Sequence, residues 1–408
     1  MTAEEIRRKR TRILATSTIA LLFLGLIYAF SMFAGPLCAA FGLPASGIGL
    51  TFNLMMIAFC LGGLAGSALQ KRVGLRWELT LAGILFCIGF VGTGLFGAGG
   101  LAVVYALYGI CGGLGVGIGY NALVATTNVW FPDKVGFSSG ILMLGFGVSA
   151  LILGNLSLQL AGAWGLPTVL VVLGIVTLAI TVAASFVVEA APANIAETLG
   201  CQKKERAGAE DAHSEKPWAT AIFWIYWVWV IIVNAAGLAT IGNAASDAQL
   251  AGFDAATAIL LASLISVANG LSRIITGSFY DRRGVVATMC LASILATSSV
   301  LLIICGVSTT TGVLYAAGAL LCGLCYGSCP VVSSAFARQR YGSRDYPFNL
   351  SVVNFSLVVA SLVNILVSAV AGASGRLPVF ITMAVLSVVA LADLVPFSRL
   401  WKHDTEGR

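Results

Sequence analysis

The sequence predicts an all-helical membrane protein of twelve transmembrane helices in two pseudo-symmetric six-helix bundles. Three observations lead there. Of the 408 residues, 10% are charged and 59% hydrophobic, against about 25% charged in an ordinary soluble domain. A chain so poor in charge lacks the polar surface to face water on every side. Twelve apolar runs reach roughly the 20 residues that cross a hydrocarbon core about 30 Å thick. Finally, a basic, glycine-bearing turn recurs at the same rank in each half.

The first apolar run lies near residues 13–35, behind Arg7, Arg8, Lys9, Arg10 and Arg12. It starts like a signal peptide but exceeds the usual apolar region of about 7–15 residues, so it reads as an uncleaved first helix. Runs near 47–70, 77–98, 101–126, 137–160 and 166–188 complete a first bundle, residues 1–188. Glu189 to Pro217 is the one long polar stretch, holding Lys203, Lys204, Arg206, Glu210, Asp211 and His213, and reads as a linker over 189–217. The second bundle, 218–408, carries runs near 218–244, 255–279, 286–306, 311–336, 348–371 and 377–397.

Lys and Arg gather in cytoplasmic segments of membrane proteins. Placing both termini in the cytoplasm puts 21 of the 23 Lys and Arg on that side, leaving Arg376 in an outer loop and Arg273 inside a helix. The expected location is a cell membrane, crossed many times, and the short loops point to a bacterial inner membrane.

After the second run stands Gly66-Ser-Ala-Leu-Gln-Lys71-Arg72-Val-Gly74-Leu-Arg76, and after the eighth Gly277-Ser-Phe-Tyr-Asp281-Arg282-Arg283-Gly284. Equal rank and aligned glycines indicate an internal repeat. These turns resemble the G-x-x-x-D-R-x-G signature of the major facilitator superfamily. The second copy matches it throughout; the first has Ser67 and Lys71 at the glycine and acidic positions. Tyr108-Gly-Ile-Cys-Gly-Gly-Leu-Gly-Val-Gly-Ile-Gly-Tyr120, continuing to Trp130-Phe131-Pro132-Asp133-Lys134, resembles the fourth helix and following loop of the oxalate:formate antiporter and monocarboxylate transporter group. Asn269-Gly-Leu-Ser-Arg273, Tyr326-Gly-Ser-Cys-Pro330 and Leu26-Ile-Tyr28-Ala resemble its eighth, tenth and first helices. The resemblance implies a secondary carrier of small carboxylates, with a central site between the halves and alternating access.

Arg273 is the main functional pointer. A charge inside a membrane helix costs at least roughly 2.5–3.5 kcal/mol unless it is paired or lines a wet cavity. It precedes Asp281 by eight residues, about 12 Å along a helix. A guanidinium forks onto a carboxylate, and the resemblance implies that this one clamps the substrate; snorkelling or a structural pair is the competing reading. Asn269 lies one turn earlier on the same face and either meets the carboxylate or bonds to a neighbouring helix. Tyr120, and with it Tyr28 and Tyr326, are candidate hydroxyl donors, unless they are interfacial tyrosines. The glycines before Tyr120 lack the strand–loop–helix context of a nucleotide site and read as a close helix contact. The eleventh run contributes the polar Asn349, Asn354 and Asn364, with Asn354 added to the substrate set.

Some dicarboxylate-handling relatives carry a basic residue in the eleventh helix; by approximate alignment Leu357 stands there. One intramembrane Arg balances one carboxylate, so the expected cargo is a monocarboxylate of the lactate, pyruvate or formate type. The alternative is another organic anion, an oxalate-like dicarboxylate or a drug. No Asp, Glu or His lies deep in any run, with Asp393 near the end of the last, so proton coupling and anion exchange stay open. The ten cysteines lie mostly in apolar runs, and Cys322, Cys325 and Cys329 read as small apolar residues. The expectation is therefore no enzyme, no cofactor, no metal and no nucleic acid, but a monomer whose partners are lipid, a small carboxylate and, where transport is proton-coupled, protons.

Overall fold

The computed structural model describes residues 3–132, 135–192, 195–199, 216–341, 346–371 and 375–406. Among them, twelve helices are long and apolar enough to cross a membrane. In the first half, spans 1 to 6 are Glu4–Phe41, Leu50–Gln70, Leu75–Gly99, Leu101–Val129, Ser138–Trp164 and Leu166–Val187. In the second, spans 7 to 12 are Ala221–Ile241, Ala255–Tyr280, Arg282–Ser308, Gly312–Tyr341, Val352–Val370 and Arg376–Lys402. The chain divides into two compact units, Met1–Lys204 and Glu205–Arg408. Most of the expected 189–217 linker lies outside the described residues, as do Asp133 and Lys134.

The helices begin and end where local chemistry dictates. Span 8 starts at Asp254, whose Oδ1 accepts the Ala256 and Thr257 amides at 3.0 and 3.1 Å. These bonds, led by the one from the Thr257 hydroxyl, hold the Asp254 carboxyl below its usual range. Span 1 is not uniform: a 3-10 turn over Gly25–Ala29 interrupts it and carries Tyr28. Spans 4 and 5 contain π-helical stretches at Tyr105–Gly112 and Ala150–Gly154.

The backbone supplies the register of the repeat. Among the described residues nine have positive φ, and eight of them form pairs: Gly42 with Gly252, Gly74 with Gly284, Gly100 with Thr310, and Gly165 with Gly375. Each pair is 210 positions apart, so the two halves turn at matching points with no net insertion. Spans 4 and 10 use the same contact. A Cβ on Gly113 would come within 2.5 Å of the Met55 carbonyl, and one on Gly117 would collide with the Phe59 carbonyl. Shifted by 210, Gly323 meets the Ile265 carbonyl at 2.5 Å and Gly327 collides with that of Asn269. Glycine four apart lets span 4 lie on span 2, and span 10 on span 8, backbone to backbone.

The units differ where the repeat leaves a choice. In unit 2, Asp247 sits on a short helix, Ala244–Leu250, fully buried. Arg376, expected in an outer loop, instead opens span 12 and grips it: Nε to Oδ1 at 2.7 Å and Nη2 to Oδ2 at 2.6 Å. Nη2 also donates to the Ala239 carbonyl at 2.8 Å. Burial pushes the Asp247 carboxyl up against the downward pull of the guanidinium, and burial is the larger influence. The same positions in unit 1 hold Leu37 and Leu166, both buried.

Candidate functional site

The residues singled out from the sequence form two groups, one in each unit. In unit 1, the Tyr120 hydroxyl on span 4 donates to Met143 Sδ at 3.0 Å. Its ring lies 5.3 Å from Phe59 of span 2 and 5.0 Å from Phe146 of span 5. Tyr28 meets the same Phe146 edge-on at 5.4 Å. The structure thus brings Tyr28 and Tyr120 together through one phenylalanine. Apolar and aromatic walls with a few hydroxyls suit the carbon chain of a small organic ligand.

In unit 2, Arg273 is 7% exposed, so the side chain is enclosed by protein and does not snorkel. It is close enough to Cys329 of span 10 for its charge to act on that residue. Next to it, the Ser272 hydroxyl donates to the Leu324 carbonyl, tying span 8 to span 10. Asn269, one turn back, is fully buried, and neither Nδ2 nor Oδ1 has a hydrogen-bond partner. It sits where Gly327 lets span 10 approach. A buried amide with no partner costs about 1–3 kcal/mol, and in this conformation it is not gluing helices together. Tyr326 is buried with its ring against Gly237 of span 7, where a Cβ would collide with it. Asn354 is exposed at a break in the eleventh helix, between Tyr346–Asn354 and Ser356–Val370. Leu357 follows on the next turn.

Trp130 and Phe131 turn out to be an anchor. Trp130 is fully buried and its indole donates to the Glu189 carbonyl at 2.8 Å. Lys9 lies over the Trp130 ring and pairs with the Glu189 carboxylate, while Arg10 covers Phe131 at 4.9 Å. The motif therefore pins the basic N-terminal stretch to the ends of spans 4 and 6. Cys322 and Cys325 point to different partners, the Gly237 and Ala292 carbonyls, and among the described residues no group of His, Cys, Asp or Glu could hold a metal.

Two acids escaped the sequence reading, which found no Asp, Glu or His deep in any run and singled out neither: Asp247, between spans 7 and 8, is 0% exposed and Glu78, one turn into span 3, 1% exposed. No signal in the one-dimensional pattern separates a solvated acid in the first turn from a buried one.

A family model described as the Major Facilitator Superfamily matches residues 15–242. An uncharacterized MFS-type transporter of Escherichia coli (strain K12), YhjX, is 27% identical over 69% of this chain and 69% of its own. The oxalate:formate antiporter of Oxalobacter formigenes is 25% identical over 65% of this chain and 62% of its own. The apicoplast pyruvate carrier 1 of Toxoplasma gondii is 33% identical, over 25% of this chain and 18% of its own. Among solved structures, the xylose transporter XylE from E. coli, in a partially occluded inward-open conformation, superposes with a TM-score of 0.71 at 15% identity, over 95% of this chain and 99% of that one. The nucleoside transporter NupG does so with 0.68 at 12% identity, over 97% and 99%.

Proposed function

The chain belongs to the Major Facilitator Superfamily, and from that premise we propose that it is a secondary carrier of small monocarboxylates of the lactate, pyruvate or formate type, working by alternating access. It is a multi-pass membrane transporter and not an enzyme. The observation that carries the reading is Arg273, a guanidinium enclosed by protein inside a membrane span. A cation kept at that depth is stabilised by an anion, and its planar fork matches a carboxylate.

Asn269 supports the same reading. Its Nδ2 calls for an acceptor and its Oδ1 for a donor, a complement that a 2-hydroxy acid offers with its carboxylate and hydroxyl. Tyr326, Tyr120 and Tyr28 would supply further hydroxyls, and Phe59 and Phe146 the apolar wall. Asn354 has less support, being exposed at a helix break. One relative is named for oxalate and formate and another for pyruvate, which favours a carboxylate cargo. The neutral Leu357 in span 11 leaves Arg273 to balance a single negative charge, hence a monocarboxylate over a dicarboxylate. The charge distribution supports termini on the cytoplasmic side of a bacterial inner membrane.

The test is uptake of labelled pyruvate and lactate into proteoliposomes. Charge-assisted hydrogen bonds are worth roughly 1.5–3 kcal/mol, so Arg273→Gln should lower uptake roughly 10–100-fold. Arg273→Lys, which keeps the charge and loses the fork, should fall between. Unchanged uptake by Arg273→Gln would remove the anion assignment, and better uptake of oxalate than of formate would replace the monocarboxylate by a dicarboxylate.

A further inference from the structure

Glu78 is the acid that the proposed transport cycle has not used. Its Oε2 is buried and makes no hydrogen bond. Its Oε1 lies 2.8 Å from where a Cβ on Gly66 would stand, and Ile118 of span 4 closes on the same spot. Gly66 is the gap that the carboxyl fills.

No cation reaches it among the described residues. The helix of span 2, which continues to Val73, offers Cys60, the exposed Arg72, and Lys71, whose side chain lies outside them. On span 3 itself, Arg76 is drawn off over the Phe186 ring at 3.9 Å, and Cys87 is more than two turns further on. The titratable groups of span 4 are Tyr105, whose hydroxyl donates to the Gly47 carbonyl, Tyr108 in the Phe30–Phe90 cluster, Cys111, and Tyr120, committed to Met143. Span 6 carries none. On span 1, Lys9 and Arg10 are held by Trp130, Glu189 and Phe131, Arg12 is exposed, and Tyr28 faces Phe146.

The repeat provides an internal control. Shifted by 210 residues, Glu78 becomes Thr288, which is also buried but donates its hydroxyl to the Gly284 carbonyl at 2.8 Å. Gly66 becomes Thr276. The fold therefore does not require a carboxyl here, since its other half solves the position with a self-satisfied hydroxyl. A carboxylate buried with neither cation nor donor costs several kcal/mol, whereas the neutral acid does not carry that penalty.

We propose that Glu78 is a proton-binding site that couples transport to protons. In the conformation described it is a neutral COOH. When spans 2, 3 and 4 part around Gly66, water reaches the group and the O–H bond breaks, giving carboxylate and one proton to solvent. Reclosure requires one proton to be taken back. One proton with one monocarboxylate is electroneutral. This coupling rests on the carrier reading above, but the site itself does not.

Two measurements test it. In purified protein without substrate, infrared difference spectra should show a protonated-carboxyl C=O band at neutral pH that shifts in D2O and disappears in Glu78→Gln; Glu78→Thr, the choice of unit 2, serves if the glutamine variant does not fold. A spectrum unchanged by both variants overturns the site. In proteoliposomes, one proton per substrate turns a one-unit pH gradient into about ten-fold accumulation of labelled pyruvate. Glu78→Gln should lose that accumulation while keeping pyruvate counterflow within about two-fold, and accumulation at the wild-type level overturns the coupling. If the wild type moves no monocarboxylate, the carrier reading fails, and the infrared band still decides the proton site.

Discussion

The Asp247–Arg376 pair offers a stability test for which the protein supplies its own design. Asp247 is fully buried, whereas the Arg376 side chain is 20% exposed. Removing the arginine therefore leaves a carboxylate stranded, and breaking a buried pair in this way costs about 3–5 kcal/mol. Removing the aspartate is milder, because the guanidinium keeps its bond to the Ala239 carbonyl and some access to solvent; about 1–3 kcal/mol is expected, the cost of an unsatisfied polar group. Removing both should cost little. Burial outweighs the guanidinium in setting the Asp247 carboxyl, so the pair nets little over an apolar replacement, and Leu37 and Leu166 occupy the same two positions in unit 1. Arg376→Leu, Asp247→Leu and the double variant can be compared by thermal unfolding in detergent. At about 2–4 °C per kcal/mol for a unit of this size, Arg376→Leu should unfold about 6–20 °C below the wild type, and the double variant within about 4 °C of it. A double variant as unstable as Arg376→Leu, or an Arg376→Leu indistinguishable from the wild type, would refute the reasoning.

Other outcomes follow from the same packing. Gly327→Val should abolish the monodisperse peak on gel filtration, since its Cβ would collide with the Asn269 carbonyl, whereas Gly277→Ala, whose nearest neighbour is Val331 at 4.0 Å, should leave it unchanged. Trp130→Ala should cost about 3–5 kcal/mol and expose the N-terminal stretch to protease, because Lys9 and the Glu189 carbonyl lose their common partner; unaltered cleavage would count against the anchor. For Asp254 the sign is that of a carboxyl held below its unfolded value: its stabilisation is present above the ordinary carboxylate range and is lost as the pH falls through its lowered folded value. The gap in unfolding temperature between Asp254→Ala and the wild type should therefore be widest near neutrality and close in acid, and a gap independent of pH contradicts the charged cap.

Much of this architecture is readable in one dimension because the bilayer imposes it. Runs of apolar residues long enough to satisfy their own backbone in hydrocarbon have no alternative to helix, and the doubled basic turn at Lys71–Gly74 and Asp281–Gly284 marks the repeat. Arg273 stands out for the same reason, as a charge where charge is expensive. Composition and period thus determined the number of helices, their class and the most anomalous residue. What each remaining polar group faces was decided only by packing. Helical period does not tell that Gly66 opens a gap which Glu78 fills, that Arg376 reaches back to Asp247 across more than a hundred residues, or that the amide of Asn269 ends without a partner. Those are properties of which surfaces meet, and burial, which sets whether a carboxyl is charged or a guanidinium paired, exists only once the helices have closed on one another.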